Sequence, residues 1–363
     1  MALAATHLEN GEFMTRATFV IPGDIDLPTG GYAYDRRLLA LFDEHGVDAT
    51  HLALPGTYPD PSAADLRETR RLVATTQPDD ILLIDGLAYG AMPADMIATF
   101  ERRIVALVHH PLCLEAGTPP LRAHELKRLE TAALALAKHV VVTSKTTALT
   151  LATDFEVPDD RISIAEPGTD AAQRAKGSGG RPFRLLAVGT VVPRKGYDVL
   201  VDALVPLKAL DWRLEIAGAT DRSPETVAAL RAQIAREGLA ERITLLGPVD
   251  EAHLAKLYDT ADGFVMASHY EGYGMVLSEA LARGLPIVCT TGGAAAETVP
   301  DGAAVKVEPA SPRALAWSIG RVLEEDGQLR RSIADAAWAA AAQLPRWNDT
   351  ARTVAAVIKE IAR

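Results

Sequence analysis

Glu271 and Glu279 stand eight positions apart around the turn Gly272-Tyr273-Gly274, followed by Ala280-Leu281-Ala282. A carboxylate can accept paired hydrogen bonds from a vicinal diol. Glycine lets backbone approach a ligand closely, and a new helix offers unpaired N–H groups to oxygen. The pattern predicts a loop that opens a helix, with one carboxylate before the turn and the other one to two turns inside the helix. Two solvated glutamates at an ordinary helix start would leave the same spacing, so the flanks decide. Upstream, Asp262–Ser268 reads as a short apolar strand, and downstream Gly284–Thr290 reads as the next. Strand, glycine loop, helix and strand form a βαβ unit whose loop sits at the carboxyl edge of the sheet, where open α/β sheets bind ligands.

Further segments have comparable chemistry. Val188-Gly189-Thr190-Val191-Val192-Pro193-Arg194-Lys195-Gly196 leaves a strand and opens a helix at Tyr197, presenting two cations that could neutralise phosphate or simply lie exposed at a turn. Asp26–Tyr32 places Gly30 and Gly31 between a first strand and a first helix, where a helix N-terminus favours anions. Leu107–Glu115 leaves a strand with His109 and His110 at its carboxyl end, and Asp85 exits the neighbouring strand at the same edge. Asp85 could touch a ligand or cap the next turn. No Ser/His/Asp order, Walker loop, cysteine pair or H-E-x-x-H occurs.

The run Ser268-His269-Tyr270-Glu271-Gly272-Tyr273-Gly274-Met275-Val276-Leu277-Ser278-Glu279-Ala280 resembles the E-x7-E signature of the family 4 glycosyltransferases, retaining nucleotide-sugar-dependent enzymes of the GT-B fold. The resemblance covers most of residues 18–361, densely in the C-terminal half. It implies that Glu271 holds hydroxyls of the transferred sugar and Glu279 the ribose hydroxyls. Gly272, Tyr273, Gly274, Met275 and Val276 would line the donor, and Val249 would lie beside the base. Residues 189–196 resemble the donor-phosphate motif, with Thr190 where many members have arginine, so the cationic role falls to Arg194 and above all Lys195. Gly30 and Gly31 would lie across the cleft from the donor. A histidine touching the donor sugar is matched by His109, with His110 left open, and Asp85 and His110 are acceptor-side candidates. No bound metal and no cofactor is implied. The donor is a nucleoside-diphosphate sugar, uridine favoured over guanosine, and the acceptor a hydroxyl on a lipid, glycan or small molecule. A nucleotide-sugar 2-epimerase and a catalytically silent sugar-nucleotide-binding protein are the rival readings.

The elements that must position these residues are legible as rhythm. Apolar runs of four to six residues alternate with longer helical stretches: strands at 18–21, 49–54, 81–84, 104–108 and 140–143, and helices at 31–44, 62–74 and 122–137. The rhythm breaks at 166–181, rich in Gly, Ala and charge, and resumes with strands at 183–188, 212–217, 243–246, 263–266, 286–289 and 304–307. The fold class expected is α/β: GT-B, two Rossmann-like doubly wound parallel-sheet domains facing a cleft. Residues 14–168 would form the acceptor half, 169–181 a linker, 182–344 the donor half, and 345–363 a terminal helix, entered at Trp347, that packs back on the first half.

Composition sets the outer bounds. A chain of 363 residues suits two domains. Its net charge is −11, of which −9 falls on residues 1–180 (16 basic against 25 acidic) and −2 on the rest (21 against 23). Acidity of that kind argues against nucleic acid and against broad docking on anionic lipid. Cys113 and Cys289 stand far apart and read as reduced structural thiols. No apolar run reaches the length of a membrane span. Residues 1–13 show no periodicity and precede a second methionine, Met14; they read either as a non-native addition or as a disordered leader, and are set aside from the fold. A cytoplasmic protein is expected, with peripheral membrane association left open.

Overall fold

The computed structural model describes residues 14–324 and 326–363. Residues 1–13, set aside above, lie outside the described residues. Two parallel six-stranded sheets organise the chain. The first contains β1 (Thr15–Pro22), β2 (Val47–Leu54), β3 (Ile81–Asp85), β4 (Ile104–Val108), β5 (His139–Val142) and β6 (Ile162–Ile164), in the order β2-β1-β3-β4-β5-β6. The second contains β7 (Phe183–Val188), β8 (Trp212–Ala217), β9 (Ile243–Gly247), β10 (Gly263–Met266), β11 (Ile287–Thr290) and β12 (Ala304–Val307), in the order β12-β11-β10-β7-β8-β9. This is the α/β GT-B arrangement expected from the sequence.

Strand periodicity divides each buried run between two cores. In β1, Val20 joins one cluster while Phe19 and Ile21 join the other; in β3, Leu82 and Ile84 separate in the same way from Ile81 and Leu83. Both faces of the sheet are therefore covered, which is why its strands read as continuous apolar runs. In each sheet the strand order reverses beside the first strand, between β1 and β3 and between β7 and β10. The ends of those strands and the loops leaving them carry Gly30, Gly31, Asp85, Arg194, Lys195 and Glu271, while His109 and His110 follow β4.

Several boundaries differ from expectation. The first helix is Gly30–Leu41, after which a 3-10 turn, Asp43–His45, ends at Gly46 with φ 72, a left-handed position that suits glycine. The helix expected from Arg122 begins at Pro120, a residue pre-set for the first helical turn, and stops at Leu134. The short β6 and the helix Lys145–Asp154 had no strong sequence signal.

The segment between Ile164 and Phe183 has no regular element, yet it is pinned: Thr169 donates to the Pro345 carbonyl, Ala175 to Arg283 and Lys176 to Asp259. At Gly168 an added Cβ would lie 2.1 Å from the Trp347 nitrogen, so the bare backbone is what lets the final helix, Trp347–Ala362, approach. That helix buries Trp347, Ala351, Val354, Ala355 and Ile358 in the core of the first sheet, spaced to form one apolar stripe. The Trp347 ring meets Tyr34 edge-on at 5.7 Å. Arg103 donates to the Ile361 and Ala362 carbonyls, placing a cation where the helix dipole is negative. Thr350 ties the same helix to the connecting segment through a 2.7 Å bond to the Glu166 carbonyl. Thr350→Val keeps the shape and removes that bond, so stability to urea should fall by about 1 kcal/mol. An unchanged unfolding midpoint would show that the bond contributes nothing net. No helix among the described residues is long and apolar enough to cross a membrane.

Candidate active site

The turn after β7 and the loop after β10 meet at Glu271. Lys195 Nζ lies 2.6 Å from Glu271 Oε1, Arg194 Nη1 3.1 Å from Oε2, and the Ser268 hydroxyl donates to Oε1 at 2.6 Å. Burial alone would raise this carboxyl, but the charges of Lys195 and Arg194 and the bonds from Lys195 and Ser268 outweigh it and hold it down at about 2. Lys195 shifts downward, because burial and the neighbouring Arg194 outweigh the pull of Glu271. Glu271 is thus a charged, almost fully enclosed counterion for the two cations that the sequence singled out.

Arg194 also reaches across the cleft. Its Nε lies 3.1 Å from Glu115, which in turn lies 3.1 Å from His110 Nε2. Burial raises Glu115, but His110 and Arg194 outweigh it and hold the carboxyl below its ordinary value. The Thr146 hydroxyl spans the same cleft to Glu297 at 3.1 Å.

Glu279 lies on the helix Met275–Leu281 and accepts from the Tyr258 hydroxyl at 2.7 Å. Burial raises its pKa, with Tyr258 and Arg283 opposing. The paired glutamates are therefore electrically different: one is buried among cations, and the other rests on a phenol.

The glycines have roles the sequence did not distinguish. Gly274 takes φ 91 as the residue before the helix, a conformation that favours glycine. At Gly272 an added Cβ would stand 2.2 Å from the His109 carbonyl, so its close approach is to the opposite half of the protein. Gly31 faces the His109 ring, whereas nothing stands within 4 Å of a Cβ at Gly30. Met275 packs partly against the first sheet's core and Val276 against the second's. Tyr273 is buried, and its carbonyl accepts from Thr298. Val249 is half-buried against the second core, and Thr190 is half-buried beside the Gly189–Gly218 backbone crossing.

On the facing edge, Asp85 caps a short helix by accepting from Leu87 N at 2.7 Å, and its other oxygen lies 3.5 Å from His109 Nε2. Of the two roles considered for it, the turn cap is the one this geometry shows. Asp35, from the first helix, approaches the same nitrogen at 3.5 Å. Asp35, Asp85 and His109 hold their ligand-type atoms within 4.8 Å of one another, a set that could hold a metal ion. Sequence reasoning missed Asp35, Glu115 and Tyr258. Only Glu115, six residues after His109 in the same loop, gave a local signal.

A cavity of about 490 Å³ opens behind the Pro193–Lys195 turn, between Gly117 and the side chains of Tyr197, Asp198, Gln233 and His269. It is lined by neither glutamate and neither cation of the site, so the chemistry is placed by the charged cluster and not by this volume.

Residues 169–339 match the family described as Glycosyl transferases group 1. The C-terminal half is a glycosyl transferases group 1 domain. The chain is accordingly a glycosyltransferase of hexosyltransferase type. It is 27% identical over 328 residues to the MMP alpha-(1->4)-mannosyltransferase of Mycolicibacterium hassiacum, covering 84% of this chain and 77% of that one. It is 32% identical over 252 residues to the D-inositol 3-phosphate glycosyltransferase of Mycolicibacterium gilvum, covering 62% of this chain and 55% of the relative. The chain thus spans only about half the length of that second relative. In fold it is similar to the sucrose-phosphate synthase of Thermosynechococcus elongatus, with TM-score 0.79, 19% identity and coverage of 95% and 99% of the two chains. Anabaena HepE in complex with UDP and glucose gives TM-score 0.75 at 18% identity, covering 94% and 99%.

Proposed function

We propose that this glycosyltransferase moves a sugar, with retention, from a nucleoside-diphosphate sugar to a hydroxyl acceptor without a bound metal. The observation that carries the reading is the pair Arg194–Lys195, held over Glu271 at the carboxyl edge of the second sheet. Transfer breaks the bond between the anomeric carbon and the diphosphate, and the leaving group needs fixed positive charge where its own charge develops. Arg194 and Lys195 are preorganised for that purpose. Glu279 and Tyr258 take the ribose, and the 271–275 loop lies against the sugar. Glu271 is enclosed by two cations and Ser268, which suits holding hydroxyls and positioning cations better than nucleophilic attack. The acceptor oxygen attacks the face that the diphosphate leaves, and its proton passes to the departing phosphate oxygen. The first half carries the acceptor and the second the donor. HepE in complex with UDP and glucose supports uridine as the base.

The reading is tested by melting the protein with UDP, GDP and other nucleoside diphosphates. A ligand at 100 times its dissociation constant stabilises by about 2.7 kcal/mol. No shift with any of them would sink the proposal. Activity should also survive EDTA, since cations and helix termini are assigned the work a metal would do. Loss of activity restored by magnesium or manganese would contradict that assignment.

A further inference from the structure

Arg194 is gripped from both halves of the protein. Its Nη1 donates to Glu271 at 3.1 Å and to the Tyr270 carbonyl at 2.8 Å, both on the loop after β10. Its Nε donates to the two oxygens of Glu115, at 3.2 and 3.1 Å, on the loop after β4. Nη2 has no partner among the described residues and is not one of their enclosed, unpartnered atoms, so it stays open to a ligand. A guanidinium grips an anion through a planar fork, so its orientation matters as well as its charge.

The loop that carries Glu115 is braced from beneath. Glu130, buried on the helix Pro120–Leu134, accepts from Leu112 N at 2.9 Å, and an added Cβ at Gly90 would stand 3.0 Å from Glu130 Oε1. Glu115 N in turn closes the short turn Leu112–Leu114 on the Leu112 carbonyl. His110 Nε2, 3.1 Å from Glu115, fixes the same carboxylate further. The two loops also meet on either side of the ion pair. A Cβ at Gly117 would touch Pro193 at 3.5 Å, and one at Gly272 would lie 2.2 Å from the His109 carbonyl. The Glu115 side chain is 40% exposed, so its pair with Arg194 adds little to stability. Stability is therefore a poor reason for a loop built this firmly.

We infer that Glu115 is a positioning residue that the first half supplies to the second: it fixes the plane of the Arg194 guanidinium so that Nη2 meets the leaving diphosphate. The inference rests on the transfer reading above and gives the acceptor half a part in the donor site. Arg194 is then oriented only while the two halves are apposed as they are here. Lys195 needs no such partner, because its ammonium is a compact point charge already held by Glu271. Charge and orientation make opposite demands on Glu115. As an anion near the cations it opposes the binding of any nucleoside diphosphate. As the acceptor for Nε it readies the fork for the charge that grows when the sugar bond breaks. That opposition separates a positioning role from a merely structural one.

The test is Glu115→Gln in the full chain, which keeps an acceptor for Nε and removes the charge. Affinity for UDP and GDP is read by calorimetry, folding by a melting curve. Turnover is read as diphosphate released from UDP-glucose, UDP-galactose or GDP-mannose, whichever the wild type uses fastest. The variant should bind the bare diphosphate at least as tightly as the wild type. Its turnover should fall on the order of ten-fold, within the 10²-fold loss that a 1 Å misplacement can cause. Arg194→Lys keeps the charge and removes the fork, so adding Glu115→Gln to it should cost no further turnover. Unchanged turnover in a folded Glu115→Gln variant would overturn the inference, as would the same loss repeated in the Arg194→Lys background. Weaker diphosphate binding with a lower melting temperature would make Glu115 structural only. A nitrogen-15 spectrum of the arginine side chains reads the contact directly, the Arg194 Nε signal being assigned by its loss in Arg194→Lys. That signal should persist in the wild type when UDP or GDP saturates the site. Its release by the nucleotide would show that Glu115 competes with the diphosphate, and would also overturn the inference. Failure of the transfer reading would appear separately, as no diphosphate release by the wild type from any donor, while the Nε signal still reports on Glu115.

Discussion

Lys195→Ala should lower turnover by about 10²–10³, the scale of losing one electrostatic partner of a transition state. The ammonium is buried and already committed to Glu271 at 2.6 Å, so it is held in position before any donor arrives. Its lowered pKa reflects the cost of that burial, and Glu271 is the group that keeps the charge in place. In the proposed reaction, negative charge would grow on the diphosphate beside this cation, which need not move far. Alanine leaves Arg194 and Ser268 on Glu271, so the carboxylate keeps two partners and the fold should survive. The measurement is kcat with purified donor, alongside a melting curve. Wild-type turnover in a folded variant would remove Lys195 from the site.

The second half of the molecule was legible in its sequence because its chemistry is local. Gly189 to Lys195 and Glu271 to Glu279 each lie on one strand–loop–helix passage, so spacing along the chain becomes spacing in space. The strands at Phe183–Val188, Trp212–Ala217 and Gly263–Met266 have the bounds their apolar runs suggested. What escaped was assembled from distant segments. Asp35 reaches His109 from 74 positions away and Tyr258 reaches Glu279 from 21, and neither pair leaves a pattern in the text. Gly272 shows the converse. Its importance was visible, but its reason, contact with the His109 carbonyl, belongs to the other half. Short elements such as β6 lacked enough residues to show a period.

The paired glutamates should prove separable. Glu279→Ala should weaken nucleotide binding by about 1.5–3 kcal/mol, the value of a charge-assisted pair of hydrogen bonds to the ribose. The Tyr258 hydroxyl would also lose its 2.7 Å acceptor, which adds to the loss. For Glu271 the informative change is Gln, because Ala would leave Lys195 and Arg194 buried without their counterion. Glu271→Gln still accepts from Ser268 and Lys195 but gives up the charge. Affinity for a bare nucleoside diphosphate should not fall, since its partners are the two cations, now less neutralised; transfer should fall steeply, because the sugar hydroxyls lose their carboxylate. The acid limb of stability separates the two residues further. Glu271 is held down at about 2, so the stability it contributes is present above the ordinary carboxyl range and is lost as pH falls toward 2. Glu271→Gln should remove that component, leaving a flatter stability profile in acid. Glu279 shifts upward, so its ionisation opposes stability above the ordinary range, and Glu279→Ala should not flatten the acid limb. Calorimetry with the bare diphosphate, turnover with the full donor and urea midpoints across the acid range test each part. Diphosphate binding abolished by Glu271→Gln but spared by Glu279→Ala would show that the two roles are the wrong way round.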